Sequence, residues 1–523
     1  MAGVIEAEAL REAWRRQDEI ALFDLRDEGP FSLAHPFFAV SLPLAQIEAR
    51  IEALAPRKSA PIVVYDNGEG LTHRGVERIA ALGYSDVSIL EGGLAAYALR
   101  GELFRDVNVP SKAFGELVES IRHTPSLSAE EVKAILETRK DVVVLDARRF
   151  EEYRTMSIPR GVSTPGAELA LRVHDLAPSP DTLVIVNCAG RTRSIIGAQS
   201  LVNAGVPNKV AALRNGTIGW TLAGFSLDKG REARFGPASE AALEKGRAGA
   251  TRWAEKVGVP ILDRALLDRW RAESNDHTLY LFDVRTPEEY LEGHPAEFTS
   301  APGGQLVQAT DEWVAVRGAR IALVDDDGVR ARMTASWLKQ MGWNVAVVAE
   351  GALAFDERGQ PVPKRTSPAD AGEAALHPAE AARLTATFVD LSPSPIYRRG
   401  HAPGAWFVAG ARLRQGLAAL PGLGPIVLFS QDGALAADNL ADAQDATRRP
   451  VKFVEGGLAA WREQGFAVEA EPCHWGTEPD DVYKRPYEGT DNARAAMQAY
   501  IDWELQLVAQ LANDGVSRFH VIR

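Results

Sequence analysis

Short apolar runs closed by turn signals recur along the chain and alternate with stretches of helical period. One run, Leu183-Val184-Ile185-Val186, empties into the loop Asn187-Cys188-Ala189-Gly190-Arg191-Thr192-Arg193-Ser194, and Ile195-Ile196-Gly197-Ala198 then begins an apolar-periodic helix. Upstream, Ser128-x-x-Glu131 is a capping box that predicts a helix to about Arg139, followed by a strand over 142–145; a further strand is predicted over 210–213. Such alternation predicts a mostly parallel sheet flanked by helices on both faces. Ligands of open α/β sheets bind beyond the carboxyl ends of the strands, which is where Cys188 falls.

The unit is repeated. An apolar strand ending in Asp-x-Arg occurs at Asp24-Leu25-Arg26, Asp146-Ala147-Arg148 and Asp283-Val284-Arg285, and a fourth copy at Asp390 lacks the arginine. From these aspartates a strand-then-glycine loop follows at Gly68, Gly190, Gly328 and Gly433, offsets of 44, 44, 45 and 43 residues. A second glycine closes another apolar strand at Gly92, Gly216, Gly351 and Gly456, offsets of 68, 70, 68 and 66. Two offsets held this constant over four copies mean tandem domains of about 100 residues, each able to own a core.

The length of 523 residues and 46% hydrophobic content agree with three or four globular domains. The apolar stretches are too short to span a membrane, and Glu6, Glu8, Arg11 and Glu12 do not make a secretory leader, so a soluble, cytoplasmic protein is expected. Two cysteines exclude a disulfide framework and fit a reducing compartment. The net charge of −13, without a long Lys/Arg run, argues against nucleic-acid binding. With no helical His pair at metal spacing and no Cys-x-x-Cys, neither a metal nor a cofactor is expected.

Residues 108–125, 229–258 and 360–378 read as linkers, with 238–256 helix-prone inside the second. The predicted domains are 1–110, 123–232, 257–362 and 374–472, followed by a helical tail over 473–523. In the tail a helix is predicted from about 492 to 513, capped by Gly515, with Met497, Tyr500, Ile501, Leu505, Val508 and Leu511 as its apolar face. That face is expected to dock on the chain's own domains; a dimer contact is the alternative.

Cys188 is the candidate nucleophile. A strand end, a glycine turn and a helix N-terminus aim backbone N–H groups at the sulfur, and Arg191 and Arg193 add charge, all favouring thiolate over thiol. A merely structural cysteine would leave Gly190, Arg191 and Arg193 unexplained. Asp146 and Arg148 are expected to pair and fix the loop; since Asp-x-Arg persists in repeats without a cysteine, it is no catalytic mark by itself. Trp220 suits the pocket wall and the core equally. Cys473 has neither glycine turn nor basic cluster and reads as an incidental thiol.

Taken together, these marks resemble the rhodanese superfamily, with four tandem rhodanese-like domains over roughly residues 5–470. The matching features are the Asp-x-Arg strand end, Glu151-Glu152-Tyr153 and Glu288-Glu289-Tyr290, and Gly400-His401-Ala402-Pro403-Gly404-Ala405. To them are added the cysteine loop and the Glu-Gly-Gly at Glu91 and Glu455, with Trp461 after the latter. Two departures stand out. Aligning the loop glycines puts Asp66, Asp326 and Gln431 at the cysteine position of the other repeats, and in the second repeat the Gly-His-Ile-Pro-Gly-Ala element is degraded to Met156-Ser157-Ile158-Pro159-Arg160-Gly161.

The resemblance implies one active repeat, the second, and three that are silent in sulfur transfer. Cys188 would take the outer sulfur of thiosulfate or a related small anionic donor as a persulfide and pass it to cyanide, a small thiol or a protein thiol. Amides of Ala189, Gly190, Arg191, Thr192, Arg193 and Ser194 would cradle the anion, and the two guanidiniums would attract it. Related phosphatases and arsenate reductases place arginine after cysteine and five residues; here the sixth residue after Cys188 is Ser194, a shorter, sulfurtransferase-type loop. The mercaptopyruvate branch has an uncharged loop, whereas two arginines suit a doubly charged donor. A persulfide carrier or sensor, or a scaffold docking a partner through its silent repeats, is the alternative of a different class.

Overall fold

The structure is a computed structural model describing residues 3–355, 359, 372–485, 487, 488 and 490–523. Its four sheets are parallel and share one strand order, 1-5-4-2-3 in sequence within each repeat, and the fourth adds His474–Trp475 as a sixth strand beside Trp406–Phe407. In the second repeat Val142–Asp146 lies between Gly161–Ser163 and Leu183–Asn187, followed by Val210–Leu213 and the edge strand Ser126–Leu127. The central strands are apolar on both sides because helices cover both faces of the sheet, as the continuous runs predict.

The capping box holds: the Ser128 hydroxyl accepts from the Glu131 amide at 3.2 Å, the Glu131 carboxylate accepts from the Ser128 amide at 2.7 Å, and the helix is Ala129–Thr138. The expected linker 108–125 is instead mostly helix, Val109–Arg122. Its Pro110 occupies the first turn, where the missing N–H costs nothing, and Val109, Ala113, Phe114 and Val118 give it a buried face. Within 229–258 the helix is Glu240–Val257, capped by Ser239 and ended by Gly258 at φ +74°. Of the third linker, 360–371 lies outside the described residues.

The repeats are distributed over two units. One comprises Met1–Leu10, Ala21–Val107 and Pro363–Lys484, and so holds the first and fourth repeats. The other comprises Arg11–Ile20, Asn108–Val362 and Arg485–Arg523, and so holds the second and third repeats with the tail. Inside the latter, the Trp337 indole N–H donates to the Ser200 hydroxyl at 2.8 Å, and Ser111 donates to the Val307 carbonyl at 2.7 Å.

The tail is helical but broken. The predicted helix is two, Ala493–Glu504 and Leu507–Asp514, ended by Gly515 as expected, and the Asn492 side chain caps the first. The break turns the surface, so Leu505, predicted on the apolar face, is exposed while Ile501, Leu507 and Leu511 are buried. The tail docks on its own unit: the Arg122 guanidinium donates to the Ile522 carbonyl at 2.6 Å and the His520 amide to the Gln340 carbonyl at 2.8 Å.

Candidate active site

Sheet register defines what stands at the cysteine position. Asp24, Asp146, Asp283 and Asp390 pair with Tyr65, Asn187, Val324 and Phe429 on the neighbouring strand. The next residues are Asp66, Cys188, Asp325 and Ser430, and their carbonyls accept equivalent hydrogen bonds from Leu94, Thr217, Ala352 and Leu458. Asp325 and Ser430 therefore replace Asp326 and Gln431 of the glycine-based alignment. In those two repeats the loop has one more residue before its glycine, a shift that the glycine spacing hides.

Gly216 sits against this carbonyl: at φ +53° it leaves only 2.3 Å between a built-on Cβ and the Cys188 oxygen. The second glycine mark is thus a close-approach position. The helix after Cys188 starts at Thr192, so Thr192, Arg193 and Ser194 form its first turn rather than loop.

The Cys188 side chain is 1% exposed, and its thiol donates to the Ser194 hydroxyl at 3.4 Å; that hydroxyl donates to the Arg191 carbonyl at 2.9 Å. Burial pushes the thiol up from its ordinary range. Arg193 and the Ser194 hydroxyl and amide pull it down without cancelling the burial, and Glu504 adds to the rise. The sequence leads one to expect an ionised and reachable thiol; in the structure the side chain is covered, and burial works against its ionisation.

The arginines are not open cations either. Arg191 is buried, clamped on Glu116 at 2.7 and 2.8 Å, touching Glu119, and bonded to Asn215 at 3.0 Å. Arg193 makes a two-point contact with Glu152 at 2.7 and 3.0 Å. Burial opposes ionisation of Glu152, but Arg193, Arg148 and Arg485 outweigh it and hold the carboxyl at about 2. In the third repeat Arg330 grips Glu289 in the same way at 2.5 and 3.0 Å. The loop arginine and the second glutamate of Glu-Glu-Tyr are therefore a structural pair that exists without a cysteine.

Asp146 and Arg148 pair at 2.8 and 2.7 Å, and Arg148 also donates to the Met156 carbonyl at 2.6 Å. Arg26 and Arg285 repeat this geometry on Asp24 and Asp283. The Asn187 amide ties Asp146 to the residue before the thiol at 2.8 Å, a link hidden from sequence because an Asn at a strand end has no distinctive spacing. Trp220 belongs to the core: it packs among Val132, Val144, Ile185 and Leu213, and its indole N–H donates to the Ser226 carbonyl at 2.9 Å. The Ala189 carbonyl is taken by the Ile218 amide at 2.9 Å, and Thr192 packs against Gly115.

The first repeat displays the loop's anion-holding geometry. There the Asp66 carboxylate accepts from the amides of Gly68 at 3.0 Å and Leu71 at 2.6 Å. The corresponding amides around Cys188 are those of Gly190 and Arg193. Cys473, in the fourth repeat, is half-buried, with burial and Glu471 raising its thiol and only Arg398 opposing.

Four parallel α/β domains of one strand order define a tandem-repeat protein in which a single strand-end loop carries a thiol. The rhodanese-like domain model matches residues 6–100, 128–223, 265–358 and 373–464, and the chain belongs to that family. It is 50% identical to a thiosulfate sulfurtransferase of Pseudomonas aeruginosa whose crystal structure is known, over 100% of both chains, with a TM-score of 0.95. A curated thiosulfate sulfurtransferase of Pseudomonas aeruginosa is 28% identical over 172 residues, 29% of this chain and 63% of that one. Another from Azotobacter vinelandii is 27% identical over 175 residues, 29% of this chain and 64% of that one. The chain spans a little under two thirds of the length of these curated relatives.

Proposed function

We propose that the protein is a sulfurtransferase that moves sulfane sulfur from thiosulfate, or a related anionic donor, to cyanide or a thiol acceptor through a persulfide on Cys188. After the thiol proton leaves to solvent, the Cys188 thiolate attacks the outer sulfur of the donor. The new sulfur–sulfur bond forms as the bond to the sulfonate sulfur breaks, and sulfite departs with the electron pair. The acceptor then attacks the outer sulfur and Cys188 leaves as thiolate.

The observation that carries this reading is a thiol in a strand-end loop whose counterpart in the first repeat holds a carboxylate on backbone amides. The name borne by the full-length relative supports it. With Arg191 and Arg193 committed to carboxylates, donor binding falls to the amides of 189–194, and the guanidiniums shape the loop. Asp146 and Arg148 act as positioning residues. The second domain, 123–232, performs the chemistry; domains 1–110, 257–362 and the fourth, which its added strand extends past the expected end at 472, carry Asp66, Asp325 and Ser430 at the cysteine position and serve as scaffold, and the tail proper begins at Arg485 rather than at 473.

Intact-mass measurement after incubation with thiosulfate tests this. One added sulfur, mapped to Cys188, is expected in the wild-type chain and in Cys473→Ser, and none in Cys188→Ser; full activity of Cys188→Ser refutes the reading. The burial of Cys188 favours a second role, a carrier that shelters its persulfide. Discharge of the loaded chain to one protein acceptor, and not to cyanide or small thiols, would select it.

A further inference from the structure

We propose that the C-terminal helix Ala493–Glu504 is a docked cap on the Cys188 loop, and that the Glu504 carboxylate it carries is a specificity-determining group screening the thiol against anionic reactants. The proposal rests on the sulfur-transfer reading of Cys188 and assigns that site a gate supplied by a segment outside the four repeats.

The geometry begins at Gly190. Gly68, Gly328 and Gly433 adopt positive φ, at +98°, +71° and +81°, which explains glycine in those loops, but Gly190 does not. What its missing side chain admits is the tail. A Cβ built on Gly190 would stand 3.3 Å from a Glu504 carboxylate oxygen and 3.6 Å from the Tyr500 ring. Glu504 ends the helix and is 2% exposed, with the Tyr500 hydroxyl donating to its other oxygen at 3.3 Å.

The helix is held over the loop by several contacts. Tyr500 packs at a tilt against Trp503 and meets Tyr487 edge-on, with centroids at 5.6 and 6.2 Å. The Lys112 ammonium lies 5.5 Å from the Tyr500 ring and 5.7 Å from Trp503. Ile501 is buried, and Arg485, at the start of the tail, reaches Glu152 at 3.4 Å, behind Arg193.

Two consequences follow for the thiol. Nucleophilic attack requires the donor's outer sulfur to touch Sγ, and with Cys188 at 1% exposure the cover must lift first. While the cap is docked, Glu504 opposes ionisation of Cys188, and as the cap parts from the loop its carboxylate still borders the opening and repels an entering anion more than a neutral reactant. The cap therefore discriminates by charge as well as by access.

Alkylation of Cys188 in the full chain, followed by peptide mapping, tests both parts without requiring sulfur transfer. Neutral iodoacetamide and anionic iodoacetate are compared. Glu504→Gln keeps the shape and removes the charge, and is expected to raise the iodoacetate-to-iodoacetamide rate ratio about tenfold. An unchanged ratio overturns the role of Glu504. Ile501→Ala loosens the helix and is expected to speed alkylation by both reagents; unchanged rates overturn the cap.

The wild-type chain supplies a check that no unfolded variant can remove. Its Cys188 alkylation must not outpace opening of 493–504 read by amide hydrogen exchange, and faster alkylation overturns the proposal. If these outcomes hold while thiosulfate adds no sulfur, it is the sulfur-transfer reading that falls.

Discussion

The Asp390 carboxylate is fully buried without a guanidinium partner, because Ser392 stands where Arg26, Arg148 and Arg285 pair with the equivalent aspartates. Burial pushes it to about 6 from an ordinary 3.8; the Ser392 hydroxyl and amide and His401 pull it down only in part. A carboxyl raised in the folded state binds its proton more tightly there than in the unfolded chain. Stability is therefore lost as pH rises from the unfolded value through about 6, then levels off, a penalty of roughly 2 to 3 kcal/mol. Asp390→Asn keeps an acceptor for the Ser392 amide and removes the charge. Its melting temperature is expected to exceed wild type at about pH 7.5 and to match it near about pH 4; thermal melts at both values check this, and equal melting at the higher pH contradicts it.

At the scale of elements, the strand–loop–helix around Cys188 was readable because its parts are local: an apolar run, a turn glycine, and capping groups a few residues apart. The helix Val109–Arg122 was missed because Pro110 and a glycine resemble linker composition, although its buried face has helical spacing. The second glycine mark was visible, but its cause is a long-range contact, the approach of Gly216 to the Cys188 carbonyl. Gly216→Ala is expected to cost more than about 2 kcal/mol and to slow sulfur loading, since both φ and space forbid the methyl. Gly224 also has positive φ, +84°, but nothing lies within 4 Å of its Cβ position. Gly224→Ala should lose only about 1 kcal/mol and leave loading intact. Denaturant melts and loading rates of the two variants distinguish steric from conformational cost, and similar losses would refute the close-approach account.

In the whole molecule, the second and third repeats share one unit, and Arg330 is central to their joining. It is 2% exposed and binds Asp327 and Glu289 of its own repeat and Glu168 of the second, the last at 2.9 Å. Arg330→Met keeps volume but leaves the buried Asp327 carboxylate without its cation and takes from Glu168 the one that crosses the repeats, Arg172 remaining on it, and is expected to destabilise the unit by about 3 kcal/mol. Hydrogen exchange should rise in both repeats, around 168–176 as well as 326–340; a rise confined to the third would show that the ion pair does not couple them. This coupling gives a repeat without a thiol a structural task in holding the repeat that has one.

Repeat number, the alternation of strands and helices within a repeat, the lone loop cysteine and the glycine that ends the tail helix were set by the sequence alone, since periodicity, turn residues and capping operate over a few positions; the order of the strands in each sheet was not. The pairing of Arg191 with Glu116 and Glu119, and of Arg193 with Glu152, came only with the tertiary structure. So did the residues truly aligned with Cys188 in the last two repeats, and the cover over the thiol. Charge counted along a chain does not say which carboxylate folds against which guanidinium. Whether a thiol is ionised depends on burial and on charges brought from hundreds of residues away, here Glu504, and only folding decides those distances.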